Sequence, residues 1–187
     1  MKIYEKFGKR LFDVLFSVIF LVVLSPVFLI ISIAIMLSSG LPIIYKQERI
    51  GKERKSFKIY KFRTMVNNAD RFGTSTKAND DRITKVGHIL RKTSLDELPQ
   101  LVNVLKGDMS IVGFRPDVWR DSDDITQKKW HTKPGITGAA QVNGRSSLTI
   151  ERAHTLEDEY AMNITFSNDI RIIFKTFLSI LKSEGTN

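Results

Sequence analysis

The sequence predicts an α+β fold that is mostly helical, with an N-terminal re-entrant membrane helix-hairpin and a small β-hairpin. Residues 14–45 contain no charged residue and are mostly apolar, which indicates contact with a membrane. Two runs of β-branched and aromatic residues within 43–65 flank a short polar stretch, as in a β-hairpin. Residues 83–107, 151–162 and 167–183 have the composition of helices. We therefore expect helices around one small strand pair.

The apolar stretch of residues 14–37 is long enough to form a membrane helix. It exceeds the roughly 7–15 residues of a signal-peptide core, and no A-x-A cleavage site follows it. The pair Ser25-Pro26 interrupts the stretch near its middle. Because proline removes a backbone donor and clashes with the preceding turn, we expect a kink there. The Ser25 hydroxyl is a candidate partner for a carbonyl freed by the kink.

The two halves of this stretch, residues 14–24 and 27–37, are each too short to cross a bilayer alone. At about 1.5 Å per residue each half spans roughly 16 Å, about half of the hydrocarbon core. Basic residues lie on both sides of the stretch, within 2–10 and 46–55, and basic flanks favour the cytoplasmic side. A hairpin that enters and leaves by one face satisfies both flanks. The alternatives are a spanning helix kinked at Pro26 and a buried helix.

Composition excludes several classes of chemistry. The chain of 187 residues has no cysteine, which excludes disulfides, thiolate metal sites and a cysteine nucleophile. Its three histidines are scattered, which argues against a histidine-rich metal site. The formal net charge is +9, but no nucleic-acid motif accompanies it. We therefore assign the basic residues to lipid headgroups and phosphates and expect no nucleic-acid partner.

The adjacent carboxylates Asp96 and Glu97 are the main candidates for chemistry. Ser94 lies three residues before Glu97, a spacing typical of a helix-capping box. On that interpretation the carboxylates have a structural role and not a catalytic one. In the first turn of a helix the dipole would keep both carboxylates ionised. An ionised aspartate beside Arg91 can attack phosphorus, and two neighbouring carboxylates can instead hold Mg²⁺.

Basic and glycine-rich segments supply candidate phosphate contacts. Arg115 lies between Gly113-Phe114 and a proline, and arginine suits bidentate phosphate recognition. The glycines of residues 133–145 would let backbone amides approach a phosphate. Lys61 and Arg63 alternate along a predicted strand and would share a face. Each signal has an ordinary structural alternative, a solvated loop or strand surface.

The last predicted helix is amphipathic. Its apolar residues fall on one stripe at helical spacing, and Ser167 or Asn168 is the expected N-cap. The stripe comprises Ile170, Ile173, Phe174, Phe177, Leu178 and Leu181. Two interpretations remain open: the stripe faces the core, or the helix lies at the interface of an acidic lipid surface.

Taken in order, these motifs resemble the bacterial sugar transferase family of monotopic phosphoglycosyl transferases. The resemblance rests on the Ser25-Pro26 break, FKIYKFRTM (57–65), LRKTSLDELPQLVNVLKGDMSIVGFRP (90–116) and KPGITGAAQVNGR (133–145). It covers roughly residues 5–185 and matches the small catalytic-core form of the family.

The resemblance implies a reaction and a set of site residues. Family members transfer a sugar phosphate from a UDP-sugar to polyprenyl phosphate and release UMP, by a ping-pong route with Mg²⁺ (or Mn²⁺). Asp96 would be the nucleophile, Glu97 would assist with metal, orientation or a proton, and both would contact the metal. Phosphates and nucleotide would contact six residues: Lys61, Arg63, Arg91, Arg115, Gln141 and Arg145.

The resemblance also implies a location. Residues 1–40 would form the re-entrant membrane helix, broken at Ser25-Pro26, and residues 41–187 a cytoplasmic catalytic domain with interfacial helices. The protein would then be monotopic, on the cytoplasmic face of the bacterial inner membrane, with phospholipid as a partner; an oligomer is compatible with this arrangement. Glucose, galactose, N-acetylated sugars and deoxy-aminosugars are all candidate sugars.

The chain departs from the family pattern at two positions. The family usually has Pro-Arg-Pro where this chain has Phe114-Arg115-Pro116, which predicts a less rigid turn. Ala139 occupies a position where relatives often carry a bulkier residue, a change we expect to affect sugar selection or loop packing.

Overall fold

The computed structural model describes residues 3–69, 80–118, 126–144 and 147–181. Within these ranges the chain is mostly helical with two small two-stranded sheets, which confirms the mostly helical prediction. A π-helical turn at Tyr4–Gly8 precedes the regular elements, which are α1 (Lys9–Val23), α2 (Ser25–Ser39), β1 (Ile44–Ile50), β2 (Ser56–Phe62), α3 (Lys85–Thr93), α4 (Gln100–Lys106), β3 (Ser110–Val112), β4 (Gly135–Thr137), α5 (Ala139–Val142), α6 (Ile150–Met162) and α7 (Phe166–Leu181).

The predicted helix break lies at Leu24, one residue before the Ser25-Pro26 pair. Leu24 leaves the helical conformation (φ −89°, ψ 4°), and Pro26 lies in the first turn of α2, where its missing N–H costs no hydrogen bond. The Ser25 hydroxyl donates to the Val22 carbonyl at 2.8 Å, as expected. Among the described residues, no single helix is long and apolar enough to cross a bilayer. The bent pair Tyr4–Val23 and Ser25–Ser39, with 62° between its arms, meets that length and composition only when the arms are taken together.

Helix α1 buries polar residues and exposes apolar ones. Asp13 and Ser17 are its buried residues, whereas Leu15, Ile19 and Val22 are more than half exposed. This is the reverse of the pattern in a helix that packs an apolar face on a core and turns a polar face to water.

The predicted β-hairpin is confirmed. Strands β1 and β2 pair antiparallel from Ile44 opposite Phe62 to Ile50 opposite Ser56. The second sheet was not anticipated, because β3 and β4 pair in parallel and β4 lies in a segment rich in turn residues. Each of these two strands has only three residues, too few to show a periodic pattern.

The segment that carries Asp96 and Glu97 is not a capping box. Ser94 ends α3 in the left-handed conformation (φ 57°) and makes no side-chain cap. A 3₁₀ turn, Leu95–Glu97, follows, and α4 begins only after Pro99. The capping interpretation is wrong because Ser94 is left-handed and its side chain caps no helix, while the Glu97 carboxylate bonds to a distant lysine on β2.

The core lies where β2, α4, β3, α6 and α7 meet. Val104, Met109 and Val112 are fully buried there, and Phe12 and Phe16 of α1 pack against them. The N-terminal helix and the following chain therefore share one core.

Two buried carboxylates tie the N-terminal helix to this core. Asp13 accepts hydrogen bonds from the Ser110 hydroxyl (3.0 Å) and the Ile111 amide (2.9 Å). Asp169, at the start of α7, is fully buried and accepts from Tyr4 (2.6 Å), Lys9 (2.7 Å) and Tyr160 (2.6 Å).

Helix α7 exposes most of its apolar stripe. The Thr165 hydroxyl accepts from the Asn168 amide, so the cap lies two or three residues before the predicted ones. Its buried residues are Asp169 and Ile172, and Ile173 packs against the core. The core-facing interpretation is wrong for the rest of the stripe, where exposure runs from 41% to 80% at Ile170, Phe174, Phe177, Leu178 and Leu181.

Candidate active site

Asp96 and Glu97 lie on the 3₁₀ turn between α3 and α4, at the wall of a cleft of about 1270 Å³. The cleft is polar near the turn, where Arg91 and Arg115 line it. Its apolar lining includes Phe16 and Phe20 of α1, Leu24 at the α1–α2 bend, and Ile173, Phe177 and Ile180 of α7.

Glu97 is oriented by Lys61. The Lys61 ammonium donates a 2.7 Å hydrogen bond to Oε1 of Glu97, and both side chains are about a quarter exposed. Strand β2 carries Lys61 opposite Tyr45, one residue before the strand ends. The pair therefore connects the β-hairpin to the turn that carries the two carboxylates.

The Asp96 carboxyl group has a raised pKa. Burial, supported by the nearby negative charge of Glu97, raises the pKa of Asp96 to about 6, while Lys61 and Arg91 act in the opposite direction. A carboxyl group with this pKa is mostly ionised at neutral pH and is poorly solvated. Both properties favour nucleophilic attack on phosphorus.

The two predicted arginines beside the carboxylates are held in different ways. Nε of Arg91 donates to the Thr64 hydroxyl at 2.9 Å, and burial lowers the pKa of this guanidinium while Asp96 raises it. The backbone amide of Arg115 donates to Oε1 of Glu157 at 2.9 Å, and the exposed Arg115 side chain lines the cleft.

Arg63 has a structural partner in the fold. Its buried guanidinium donates to the carbonyl (2.7 Å) and hydroxyl (2.9 Å) of Ser39 and to the carbonyl of Gly40, at the C-terminal end of α2. Arg63 borders the same cleft as Lys61, but these bonds direct its charge to the helix end, where a cation is favoured by the dipole.

The remaining predicted residues lie on or near the glycine-rich segment. Nε2 of Gln141 donates to the Ile136 carbonyl at 3.1 Å, and Gln141 lines the cleft. Arg145 lies outside the described residues.

Gly138 of this segment and Gly113 after β3 serve backbone packing. A Cβ on Gly113 would lie 2.2 Å from the Lys133 carbonyl oxygen, and one on Gly138 would lie 1.9 Å from the Gly113 carbonyl oxygen. Their missing side chains let β3 approach β4 and the turn after it, and the expected phosphate cradle stays a prediction.

Sequence reasoning missed Arg49 and Glu157. In the antiparallel register Arg49 lies opposite Phe57, which places it on the same face of the hairpin as Lys61, four residues further along β2. That placement becomes visible once the hairpin turn is located. Glu157 carries no local signal, since its partners are the amide of Arg115 and the ammonium of Lys129, 2.8 Å away.

The two carboxylates fit a magnesium ion. Among the described residues no group of three or more His, Cys, Asp or Glu could hold a metal. Mg²⁺ is commonly bound by one or two carboxylates together with substrate phosphates and water, so a pair such as Asp96 and Glu97 meets its protein share.

Comparisons with known proteins point to one family. The family model described as bacterial sugar transferase matches residues 4–183. The sugar transferase EpsL of Bacillus subtilis is 43% identical, and the aligned region covers 95% of this chain and 89% of EpsL. The undecaprenyl-phosphate galactose phosphotransferase of Salmonella typhimurium is 40% identical, over 97% of this chain and 42% of that protein.

A third relative has a different sugar in its name. The UDP-glucose:undecaprenyl-phosphate glucose-1-phosphate transferase of Escherichia coli is 41% identical, over 90% of this chain and 39% of that protein. The chain thus spans nearly the whole of EpsL and about two fifths of the length of the other two relatives.

Proposed function

The chain belongs to the bacterial sugar transferase family, and we propose that it transfers a sugar 1-phosphate from a UDP-sugar to polyprenyl phosphate and releases UMP. Relatives named for undecaprenyl phosphate and for galactose or glucose phosphate transfer support this reaction class. The reaction would start the assembly of a surface polysaccharide on its lipid carrier.

One observation carries the proposal: a poorly solvated carboxylate, Asp96, lies beside the Lys61–Glu97 ion pair in a cleft lined by Arg91 and Arg115. The carboxylate supplies a nucleophile and the cations supply binding for phosphate oxygens. The apolar lining of the same cleft suits an acceptor with a hydrocarbon chain.

In the first half-reaction, an oxygen of the Asp96 carboxylate bonds to the phosphorus that carries the sugar. The bond from that phosphorus to the bridging oxygen breaks, and UMP leaves with the electron pair. Asp96 then carries the sugar phosphate as an acyl phosphate. Arg91 and Arg115 are positioned to neutralise the negative charge that develops on the phosphate oxygens.

In the second half-reaction, a phosphate oxygen of the polyprenyl phosphate attacks the same phosphorus. The acyl-phosphate bond breaks and the Asp96 carboxylate is regenerated. Glu97, oriented by Lys61, receives the proton if the acceptor phosphate carries one. Covalent catalysis of this kind divides one transfer between a water-soluble and a lipid reactant into two steps.

Mg²⁺ or Mn²⁺ is the proposed cofactor, held by Asp96 and Glu97 together with phosphate oxygens. The ion, when bound, would neutralise the diphosphate and stabilise the leaving nucleotide. Lys61 limits the charge repulsion between the two carboxylates when the ion is absent.

We propose a monotopic location on the cytoplasmic face of the bacterial inner membrane. The helices before residue 40 would enter the bilayer and return, and residues 41–187 would form the catalytic domain. The 62° bend, the exposed apolar side chains of α1 and the exposed stripe of α7 support this arrangement.

The topology can be tested with single cysteines, since the chain has none. Ile3→Cys and Lys46→Cys place exposed thiols at the two ends of the helix pair. Both are expected to react with a membrane-impermeant maleimide from the cytoplasmic side only. Reaction of the two thiols from opposite sides would contradict the re-entrant arrangement.

The reaction can be tested with purified protein in nanodiscs containing undecaprenyl phosphate and Mg²⁺. A panel of UDP-sugars should contain at least one that yields UMP, and chelation should stop its release. In the absence of the acceptor, mass spectrometry should find a sugar phosphate on Asp96.

Asp96→Asn should abolish UMP release while the protein still inserts and folds, and the exposed Asp81→Asn is the matched control. Full activity of the Asp96 variant would refute the assigned nucleophile. UMP release that requires the acceptor, with no adduct on Asp96, would indicate direct displacement.

A further inference from the structure

A narrow recess opens beside the two carboxylates, between the β-hairpin and the Gly113–Pro116 turn. Its lining includes Arg49, Lys61, Glu97, Arg115 and Gln141. Two polar atoms of these lining residues are buried without a hydrogen-bond partner, Nε of Arg49 and Oε1 of Gln141. A buried polar atom without a partner is costly, which makes such atoms candidates for ligand contacts.

Arg49 is only partly satisfied by the protein. Its Nη2 donates to Oε1 of Gln47 at 2.6 Å, and its Nη1 reaches the Pro116 carbonyl at 3.4 Å, which is long for a hydrogen bond. Nε has no acceptor in the described part of the chain. The guanidinium is therefore held in place by two of its groups and retains unused donor capacity.

The surroundings of Arg49 favour an anion. Burial lowers the pKa of Arg49; Arg115 lowers it further, whereas Asp117 and Glu97 raise it. Two guanidinium groups that line one recess repel each other, and an anion between them would relieve both the repulsion and the lost hydration.

Gln141 requires a hydrogen-bond donor from a ligand, whereas Arg49 requires an acceptor. Its Nε2 is used by the Ile136 carbonyl, which leaves Oε1 as the atom without a partner. An amide oxygen accepts hydrogen bonds, so it is satisfied by an O–H or N–H and not by a phosphate oxygen. A fully ionised phosphate monoester offers acceptors only.

We infer that Arg49 and Gln141 bind the nucleotide portion of the donor, Arg49 through an anionic phosphate oxygen and Gln141 through an O–H or N–H of the nucleoside. This inference rests on the proposed function and names the recess as the seat of the leaving nucleoside monophosphate. A nucleotide carries an anionic phosphate that Arg49 can bind and hydrogen-bond donors that Gln141 can accept, so it satisfies both residues. Fully ionised polyprenyl phosphate offers no donor to Oε1 of Gln141.

The test is steady-state kinetics of Arg49→Gln in nanodiscs, with the best UDP-sugar of the panel. We expect the KM for the UDP-sugar and the inhibition constant for UMP to rise about ten-fold or more, because a charge-assisted hydrogen bond is lost. The KM for undecaprenyl phosphate should stay unchanged. Arg152→Gln, an equal change at an exposed position of α6, is the matched control and should leave all three constants unchanged.

A second pair of measurements separates the two contacts. Arg49→Gln should weaken inhibition by UMP and by inorganic pyrophosphate alike, since both present anionic oxygens. Gln141→Leu should weaken inhibition by UMP alone. Arg49→Lys keeps the positive charge and should retain part of the inhibition by pyrophosphate. If Arg49→Gln does not fold, the same measurements are made on Arg49→Lys.

The outcomes distinguish this inference from the proposed function. A wild-type protein that releases UMP from no UDP-sugar would refute the proposed function. A wild-type protein that is active, with donor KM and UMP inhibition unchanged in the Arg49 variants, would overturn the inference alone. Equal changes in the KM for both substrates would also overturn the inference. They would show that Arg49 only supports the turn at Pro116, through its contact with the Pro116 carbonyl.

Discussion

The Lys61 ammonium on β2 bonds to the Glu97 carboxylate at 2.7 Å and bridges 36 residues of sequence. This ion pair places a positive charge next to Asp96, where it lowers the pKa of that carboxyl group against the effects of burial and of Glu97. The β-hairpin thereby contributes to the ionisation of the proposed nucleophile, although neither strand carries a catalytic carboxylate.

The first prediction concerns the pH dependence of the half-reaction without acceptor. Since Asp96 must be ionised to attack, the rate should fall as the pH drops through about 6. Lys61→Met removes a charge that lowers the pKa of Asp96, so the midpoint should move to higher pH. Single-turnover UMP release across pH 5–9 measures both profiles.

Lys58→Met is the control for this measurement, because Lys58 lies on the same strand and is exposed on the other face. Its midpoint should equal that of the wild type. A Lys61→Met midpoint that stays in place or moves to lower pH would show that Asp96 does not govern the profile.

The second prediction is that Asp96→Asn stabilises the protein at neutral pH while it removes activity. The folded state holds the Asp96 proton up to a pH of about 6, whereas the unfolded chain releases it near 4, so ionisation of Asp96 disfavours folding. We expect a gain of up to about 3 kcal/mol well above pH 6 that disappears below pH 4. Thermal unfolding at pH 7.5 and pH 4 measures it, with Asp81→Asn as the control at an exposed site. Destabilisation at pH 7.5 would contradict the predicted cost of ionisation.

The third prediction concerns the phenylalanine that replaces the usual first proline of the family motif. Phe114 is 1% exposed, packs edge-on against Trp130 at 5.4 Å between ring centroids, and lies below the Lys129 ammonium. Phe114→Ala should therefore cost about 3–5 kcal/mol of unfolding free energy through the cavity it leaves.

Phe174→Ala, at a site that is 62% exposed, is the matched control and should cost far less. Chemical denaturation in detergent compares the two variants. Equal costs at the two sites would show that Phe114 does not anchor the Arg115 turn.

The fourth prediction places the exposed stripe of α7 in contact with lipid. In the cysteine-free chain, a fluorophore on Phe174→Cys should be quenched by a lipid-borne quencher in anionic nanodiscs. A fluorophore on Thr155→Cys, at an exposed position of α6, should be quenched far less. Equal quenching at the two sites would contradict the interfacial position of α7.

Local chemistry explains what could be predicted from sequence alone. The break at Ser25-Pro26 follows from the missing N–H of proline, and the β-hairpin follows from two apolar runs separated by a polar turn. The helices α6 and α7 followed from composition and helical spacing. Each of these features depends on residues within a few positions of one another.

The tertiary structure decided the features whose partners are distant in sequence. Ser94 ends α3 in the left-handed conformation and caps no helix, Glu97 pairs with Lys61 on β2, and Arg63 is directed to Ser39 at the end of α2. The apolar stripe of α7 faces outward because the helix packs against the core through Asp169. This buried carboxylate accepts a hydrogen bond from Tyr4, near the other end of the sequence.

The amino-acid sequence by itself determined the mostly helical class of fold and the bend in the apolar segment, and its resemblance to the family named the proposed nucleophile. Only the tertiary structure decided the pKa of Asp96, the exposure of the apolar stripe and the inclusion of Arg49 in the site. The reason is physical: propensity and spacing act over a few residues, whereas burial and charge depend on every group that the fold brings near.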